Sequence, residues 1–386
     1  MIELRGITWD HARGFDPVQA TALHYIAANP DVRITWARRT LTDFAELSVL
    51  DMAERYDMIV LDHPWIGAAA ARESLLPLDT LLDRVFVDNQ LTNSVGPSAR
   101  SYVWDGHLWA LPIDAAAQVS CYRPDLLERL GYDVPRTWDK VFRLAQRAPG
   151  RVGIALMHVD TVPTFISLAA NSGEAPMSTP DYYVSRETGR AVLDQMRRFI
   201  DLFHPESLQW NPPALLERMS TTDELIYCPL AFGYSNYARP GYRPNVIRFT
   251  NIPLGHNSLP SGAILGGAWL ALSSRCREPE AAARYATYVA DPQVQRTMYY
   301  ENAGQPGHRS AWLDNEVNCT SNNFFADTLS TLDNAYLRPR HDGYIRVQDE
   351  ACLLLHRFLK NGGQPDAVLD QMDALYRQSL QHTVEP

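Results

Sequence analysis

The sequence predicts an α/β protein built as two lobes, and three observations carry that expectation. Apolar, strand-like runs alternate with helical stretches from Ile2 to Ala71. The alternation resumes between Thr137 and Phe232. At 386 residues the chain is long for one hydrophobic core and suits two of ordinary size. Strand–helix alternation implies a mostly parallel sheet covered by helices on both faces.

The elements follow from local pattern. Ile2 to Thr8 is a short apolar run. Asp16-Pro17 supplies an N-cap and a proline at the first helical position, with Leu23, Ile26 and Ala27 as the expected buried stripe. Val32, Ile34 and Trp36 alternate as in a half-buried strand, and Met58 to Leu61 is a continuous apolar strand. A helix follows through Ala68 to Ala71. Thr137 caps a helix that buries Val141, Phe142 and Leu144. Gly153 to Met157 reads as a strand, Phe165 to Ala170 and Thr188 to Phe203 as helices, and Ile226 to Phe232 as a strand. After the loop Arg239 to Pro244, strands are expected at Val246 to Phe249 and Leu265 to Leu272. Helices follow at Pro279 to Ala290 and Gln293 to Glu301, and the tail is almost wholly helical, with Val368, Leu369, Met372 and Tyr376 on one face.

Composition narrows the function. A formal net charge of -10 argues against nucleic acid as a partner, because phosphate binding needs a basic face. It suits a soluble monomer. Cys121, Cys228, Cys276, Cys319 and Cys352 are odd in number, with no CxxC pair, so neither a zinc knuckle nor a disulfide framework is encoded. They read as free thiols that pack as small hydrophobes. No apolar run reaches the length of a membrane span.

In open α/β sheets, ligands collect beyond the carboxyl ends of strands. Three such loops carry hydrogen-bonding groups: Trp9-Asp10-His11-Ala12-Arg13, Asp62-His63-Pro64-Trp65 and His158-Val159-Asp160. Each lies at an expected helix N-terminus, where backbone N–H donors point outward. Trp9 and Trp65 add flat apolar walls for a sugar ring. The plainer roles are helix caps for the carboxylates and packing for the tryptophans. The Asp-His pairs make poor metal sites, since adjacent residues on an extended segment point to opposite sides. No HExxH, GxSxG or phosphate-loop motif is present, so neither a catalytic group nor a cofactor is expected.

Several segments resemble, in order, the family 1 extracellular solute-binding proteins of ABC importers, the maltose- and oligosaccharide-binding group. Asp105-Gly106-His107-Leu108-Trp109-Ala110-Leu111-Pro112-Ile113-Asp114 resembles the family's first crossover. Cys121-Tyr122-Arg123-Pro124-Asp125-Leu126-Leu127-Glu128-Arg129-Leu130-Gly131 and Pro135-Arg136-Thr137-Trp138-Asp139 match the next two segments, with Lys140 where a capping-box glutamate is usual. Asn251 to Gly255, Leu265 to Leu272, Pro279 to Gln295, Gly304 to Arg309 and Arg338-Pro339 continue the series. The first 70 or so residues depart most from the family wording.

The resemblance implies a two-lobed, type II periplasmic-binding-protein-like fold with a ligand cleft between lobes and hinge crossings. Lobe one is expected to hold 1–113 and 254–313, and lobe two 114–253 and 314–386 with the terminal helices. The implied function is capture of a small polar ligand (sugar, polyol or organic acid) by hinge closure, with delivery to ABC transporter permease subunits. Expected ligand contacts are Trp9, Asp10, His11, Arg13, Asp62, His63 and Trp65 from lobe one, and Asp114, Tyr122, Asp160 and Tyr234 from the hinges and lobe two. Trp269 and Arg309 are added on the return side. Arg13 and His11 keep an acidic ligand open beside a neutral one. A cytoplasmic sensor or carrier, or an enzyme on the same scaffold, stays as the alternative function. Residues Ile2 to Thr8 read as the first strand with no targeting segment before them. The expected location is the periplasm, with a signal sequence removed; the cytoplasm is the alternative.

Overall fold

The structure is a computed structural model that describes residues 1–40, 43 and 48–381. Its strands, in chain order, are β1 (Ile2–Trp9), β2 (Val32–Arg39), β3 (Met58–Leu61), β4 (Val103–Trp104), β5 (His107–Leu108), β6 (Leu111–Pro112), β7 (Ala116–Tyr122), β8 (Tyr227–Phe232), β9 (Arg248–Thr250), β10 (Leu265–Gly266) and β11 (Trp269–Leu272). The chain divides into two compact units. Unit 1 comprises Met1–Ala116, Gly266–Asn318 and Arg340–Asp342; unit 2 comprises Ala117–Leu265, Cys319–Pro339 and Gly343–Pro386. The chain thus returns to unit 1 at Gly266, where the sequence placed the change at Pro253/Leu254, and leaves it again at Asn318 rather than Leu313.

Unit 1 is built on a five-stranded sheet of order β2-β1-β3-β11-β6. β1 pairs in parallel with β2 and β3, as the alternation implies. β11 enters antiparallel between β3 and β6. β3 and β11 are buried throughout, which explains their unbroken apolar sequence. β2 keeps its expected alternation at Val32, Ile34 and Trp36. Gly6 sits opposite Trp36 in the β1–β2 register, and a Cβ there would meet the indole at 2.5 Å.

The first helix corrects the sequence expectation. It runs Ala12–Ala28, starting ahead of Pro17, because the His11 side chain already caps it by accepting from the Arg13 N–H. Pro17 is tolerated inside the helix, where it donates no N–H to the carbonyl four residues back. The buried face is Arg13, Gly14, Pro17, Val18, Thr21 and Ala22, spaced three and four apart. Leu23, expected inside, is 61% exposed. The small residues of that face bring the helix close to the sheet.

Unit 2 corrects the parallel-sheet expectation. Its sheet has the order β10-β7-β8, with β9 also on β7, and both β8 and β9 pair antiparallel with β7. The expected strand Gly153 to Met157 is absent. Val152 makes one bridge to Tyr227, and beyond it the backbone turns to the Pro205–Gln209 segment: Leu156 N–H donates to the Ser207 carbonyl and Met157 N–H to the Trp210 carbonyl. The helix expected from Phe165 therefore starts at His158 and runs to Asn171. Thr137, Ser185 and Asn211 cap helices Trp138–Arg147, Arg186–Leu202 and Pro212–Thr221. The final helices, Tyr344–Asn361 and Pro365–Gln381, bury Val368, Leu369, Met372 and Tyr376 as expected; residues 382–386 lie outside the described set.

The run expected as one strand from Leu265 to Leu272 is broken between β10 and β11. Gly267 has φ +112, and a Cβ there would meet the Asp114 carbonyl oxygen at 2.6 Å. Both the backbone conformation and the close approach exclude a side chain. Gly267→Ala is expected to cost about 2 kcal/mol or more in a urea titration. An unchanged midpoint would contradict this packing.

Candidate functional site

Within unit 1 the candidate residues gather at the carboxyl ends of β1 and β3. Trp9 closes β1 and is buried against Gly14, where an added Cβ would strike its ring. Asp10 is exposed and pairs with Arg38 at 3.1 Å; Arg38 in turn lies over the Phe15 ring at 3.6 Å. His11 is the helix cap described above. Arg13 is 4% exposed and reaches across to Asp114, which is fully buried. The contact is bidentate, Nε to Oδ2 at 2.8 Å and Nη2 to Oδ1 at 2.5 Å. Burial pushes the Asp114 carboxyl up, while the charge and hydrogen bonds of Arg13 and the Ala268 N–H pull it back down. The Tyr299 phenol is close enough to feel both charges, and burial raises it far above its usual range.

The second group follows β3. Asp62 caps the short His63–Trp65 turn by accepting from the His63 N–H at 2.8 Å, and its Oδ1 also lies 3.0 Å from His63 Nδ1. His63 is buried and meets Tyr102 edge-on at 6.3 Å. Tyr102 stacks on Trp269 with ring centroids 4.1 Å apart, and its hydroxyl donates to the Leu61 carbonyl. Trp269 is 1% exposed, so its indole packs in the unit 1 core. Trp65 is half-buried against the same core. Arg309 opens the helical turn Arg309–Trp312 and is half-buried.

Unit 2 holds the remaining candidates. Asp160 lies in the first turn of the His158–Asn171 helix and not in a loop. It is 5% exposed, and its Oδ2 is buried with no hydrogen-bond partner among the described residues. Burial alone drives its carboxyl well above the carboxylate range. A carboxylate near a helix N-terminus gains up to about 1 kcal/mol from the backbone dipole, whereas burying an uncompensated charge costs several. Burial wins, and the fold favours the protonated form of the Asp160 carboxyl.

Tyr122 ends β7 opposite Tyr227, half-buried, with burial raising its phenol against the opposing charges of Arg248 and Arg136. Tyr234 follows β8 just past Gly233, whose N–H donates to the Ala117 carbonyl. Tyr122 and Tyr234 therefore stand at opposite ends of the β7–β8 ladder, roughly 20 Å apart at a strand's rise per residue. The structure does not bring them together around one small molecule.

Sequence reading missed Tyr102 and Tyr299. The only signal at Tyr102 is its place just ahead of the Asp105 to Asp114 motif, and Tyr299 reads as one more apolar helix position. Among the described residues, no helix is long and apolar enough to cross a membrane.

Two α/β units built from discontinuous chain, with polar groups gathered at strand ends, define the class of two-lobed solute-binding folds. The comparisons agree. Residues 10–296 match the profile of the bacterial extracellular solute-binding proteins, and the chain belongs to that family. It is similar to the maltotriose-binding protein of Pyrococcus abyssi, 25% identical over 33% of this chain and 27% of that protein. A protein of Escherichia coli named as an ABC transporter periplasmic-binding protein, YcjN, is 26% identical over 55% of this chain and 52% of its own length. The matches thus span about a quarter and about half of these two relatives. Among solved structures, maltose-bound MalE3 of T. maritima has a TM-score of 0.85 at 19% identity, covering 98% of this chain and 100% of that one. A solute-binding protein of Agrobacterium radiobacter in complex with ribitol has a TM-score of 0.80 at 18% identity, covering 98% of each chain. These two likenesses establish the fold.

Proposed function

We propose that this protein captures a small, uncharged polyhydroxylated ligand, a sugar or polyol, and delivers it to the permease of an ABC importer on the periplasmic side. The family and the ligands named for its structural neighbours support the role, and the ion pair between Arg13 and Asp114 selects among ligand classes. An unpaired buried guanidinium would favour a carboxylate ligand. Here the Arg13 fork is bound on two edges by Asp114, so its charge is balanced inside unit 1. Burial disfavours a charge on Asp160, which speaks against a cationic ligand.

Trp9, Asp10, His11, Asp62, His63, Trp65 and Arg309 remain the proposed unit 1 ligand residues. Asp160 and Tyr234 are the proposed unit 2 set; Tyr122, at the other end of the β7–β8 ladder from Tyr234, is left out of it. In this reading Arg13, Asp114 and Trp269 act by holding the frame. Binding leaves the ligand unchanged, and the ligand-free chain is monomeric.

Isothermal titration calorimetry with maltose, maltotriose, ribitol and tagatose, set against gluconate and succinate, tests the class. A neutral compound is expected to bind with Kd at or below the micromolar range, with little dependence on salt. Tighter binding of an acid, weakening with salt, would overturn the ligand class. Turnover of the bound compound would overturn the binding role.

A further inference from the structure

We propose that Cys121 and Cys228 form an intrachain disulfide when the chain folds in the presence of a thiol–disulfide oxidant. The two residues face each other in the antiparallel β7–β8 register, Cys121 on one strand and Cys228 on the other. Both are fully buried and both are reduced; the Cys121 thiol donates to Met219 Sδ at 3.7 Å and the Cys228 thiol to the Leu230 carbonyl at 3.4 Å, so a rotation of each side chain about its Cα–Cβ bond is needed to bring the sulfurs together.

The ladder geometry permits the bond. Directly opposed residues share one face of the sheet, so both sulfurs lie on the same side. Arg123 N–H donates to the Ile226 carbonyl, two residues along, which makes Cys121 and Cys228 a hydrogen-bonded pair in the alternation of an antiparallel ladder. Such pairs have Cα atoms about 5.5 Å apart, inside the range that a disulfide spans. The register shifts between Val119 and Cys121, beside Pro229, a residue with no N–H to donate to β7. A cross-link placed directly after this irregularity would hold the register where the backbone ladder is weakest.

The chemistry balances with oxidised glutathione. A thiolate of one cysteine attacks the glutathione disulfide, giving a mixed disulfide and one glutathione. The second cysteine's thiolate then displaces the other glutathione, forming the Cys121–Cys228 bond. Two thiols lose two protons and two electrons, and one glutathione disulfide becomes two thiols. Burial raises the Cys121 thiol well above its usual value and closes off access in the folded protein. Oxidation is therefore expected during folding and to be slow once the fold is complete. None of the other three cysteines is paired with either in a strand register: Cys276 belongs to unit 1, Cys352 is on the Tyr344–Asn361 helix, and Cys319 is exposed.

The full chain is unfolded, reduced and refolded with mixed oxidised and reduced glutathione, then alkylated and mapped by mass spectrometry, with circular dichroism recorded on the same sample. The expected result is a linked peptide pair containing Cys121 and Cys228, with Cys276, Cys319 and Cys352 alkylated. The native spectrum should be retained, and Tm should stand several degrees above the reduced protein. That difference should vanish in Cys121→Ala/Cys228→Ala, which keeps the core apolar. Alkylation of both residues in refolded protein would overturn the proposal. So would linkage found only in chain that has lost its native spectrum. The readout is covalent and involves no ligand, so it stands or falls separately from the transport role.

Discussion

Asp160→Asn is expected to stabilise the protein at neutral pH and to leave it nearly unchanged at pH 4. The Asp160 carboxyl is buried with Oδ2 unpartnered, and its folded pKa is raised well above the ordinary value by burial. In the unfolded chain it ionises near 3.9. A raised folded pKa means that the fold prefers the protonated form. That preference is fully present below the unfolded value and is lost as pH rises through the folded one. Between those two pH values the wild-type protein loses about 1.4 kcal/mol for each pH unit, relative to a neutral side chain. Asparagine keeps the shape and carries no charge to bury. The gain should therefore be near zero at pH 4 and grow as pH rises, until pH passes the folded value. Urea titrations of both proteins between pH 4 and pH 8 measure it. A difference independent of pH would show that the carboxyl titrates normally in the fold. If the same variant also loses ligand affinity while gaining stability, Asp160 serves binding at the expense of the fold.

Arg13→Ala is expected to have the largest effect in the opposite direction. Removing one member of a buried, bidentate pair leaves an uncompensated carboxylate, at a cost of about 3–5 kcal/mol. Asp114 is fully buried and would stay so. Burial raises the folded Asp114 carboxyl above its ordinary value, so the loss should be greatest at pH above that raised value and shrink below it, where Asp114 is protonated and the pair is already broken. Arg13→Met/Asp114→Leu should recover most of the stability, since replacing both partners with apolar groups removes both desolvation costs. A midpoint for Arg13→Ala within about 0.5 kcal/mol of wild type, the range of ordinary surface changes, would refute the structural role.

These two residues show how far local reading reached. The sequence placed both at strand ends as hydrogen-bonding candidates, and the plainer reading of each loop carboxylate was a helix cap. Asp62 and His11 are caps, Asp10 makes an exposed ion pair, and Asp160 lies inside a helix. Caps are legible because they need only a residue type and its next few neighbours. The misplaced start of the first helix has the same origin. Asp16-Pro17 is a good local signal, and His11 is a better one only in the conformation that the strand before it imposes.

What the sequence determined by itself is the class of fold, most element positions and the family. These rest on hydrophobic period, capping and turn residues, and on ordered motifs, all of which act over a few residues at a time. Tertiary structure alone decided the pairings across long separations. Arg13 meets Asp114 across 101 positions, Tyr102 stacks on Trp269, β11 inserts antiparallel beside β3, and Cys121 faces Cys228. Each pairing depends on which strand lies beside which. A strand's own pattern states that it is buried and never names its neighbour, because the alternation of side chains is the same in every sheet that covers it.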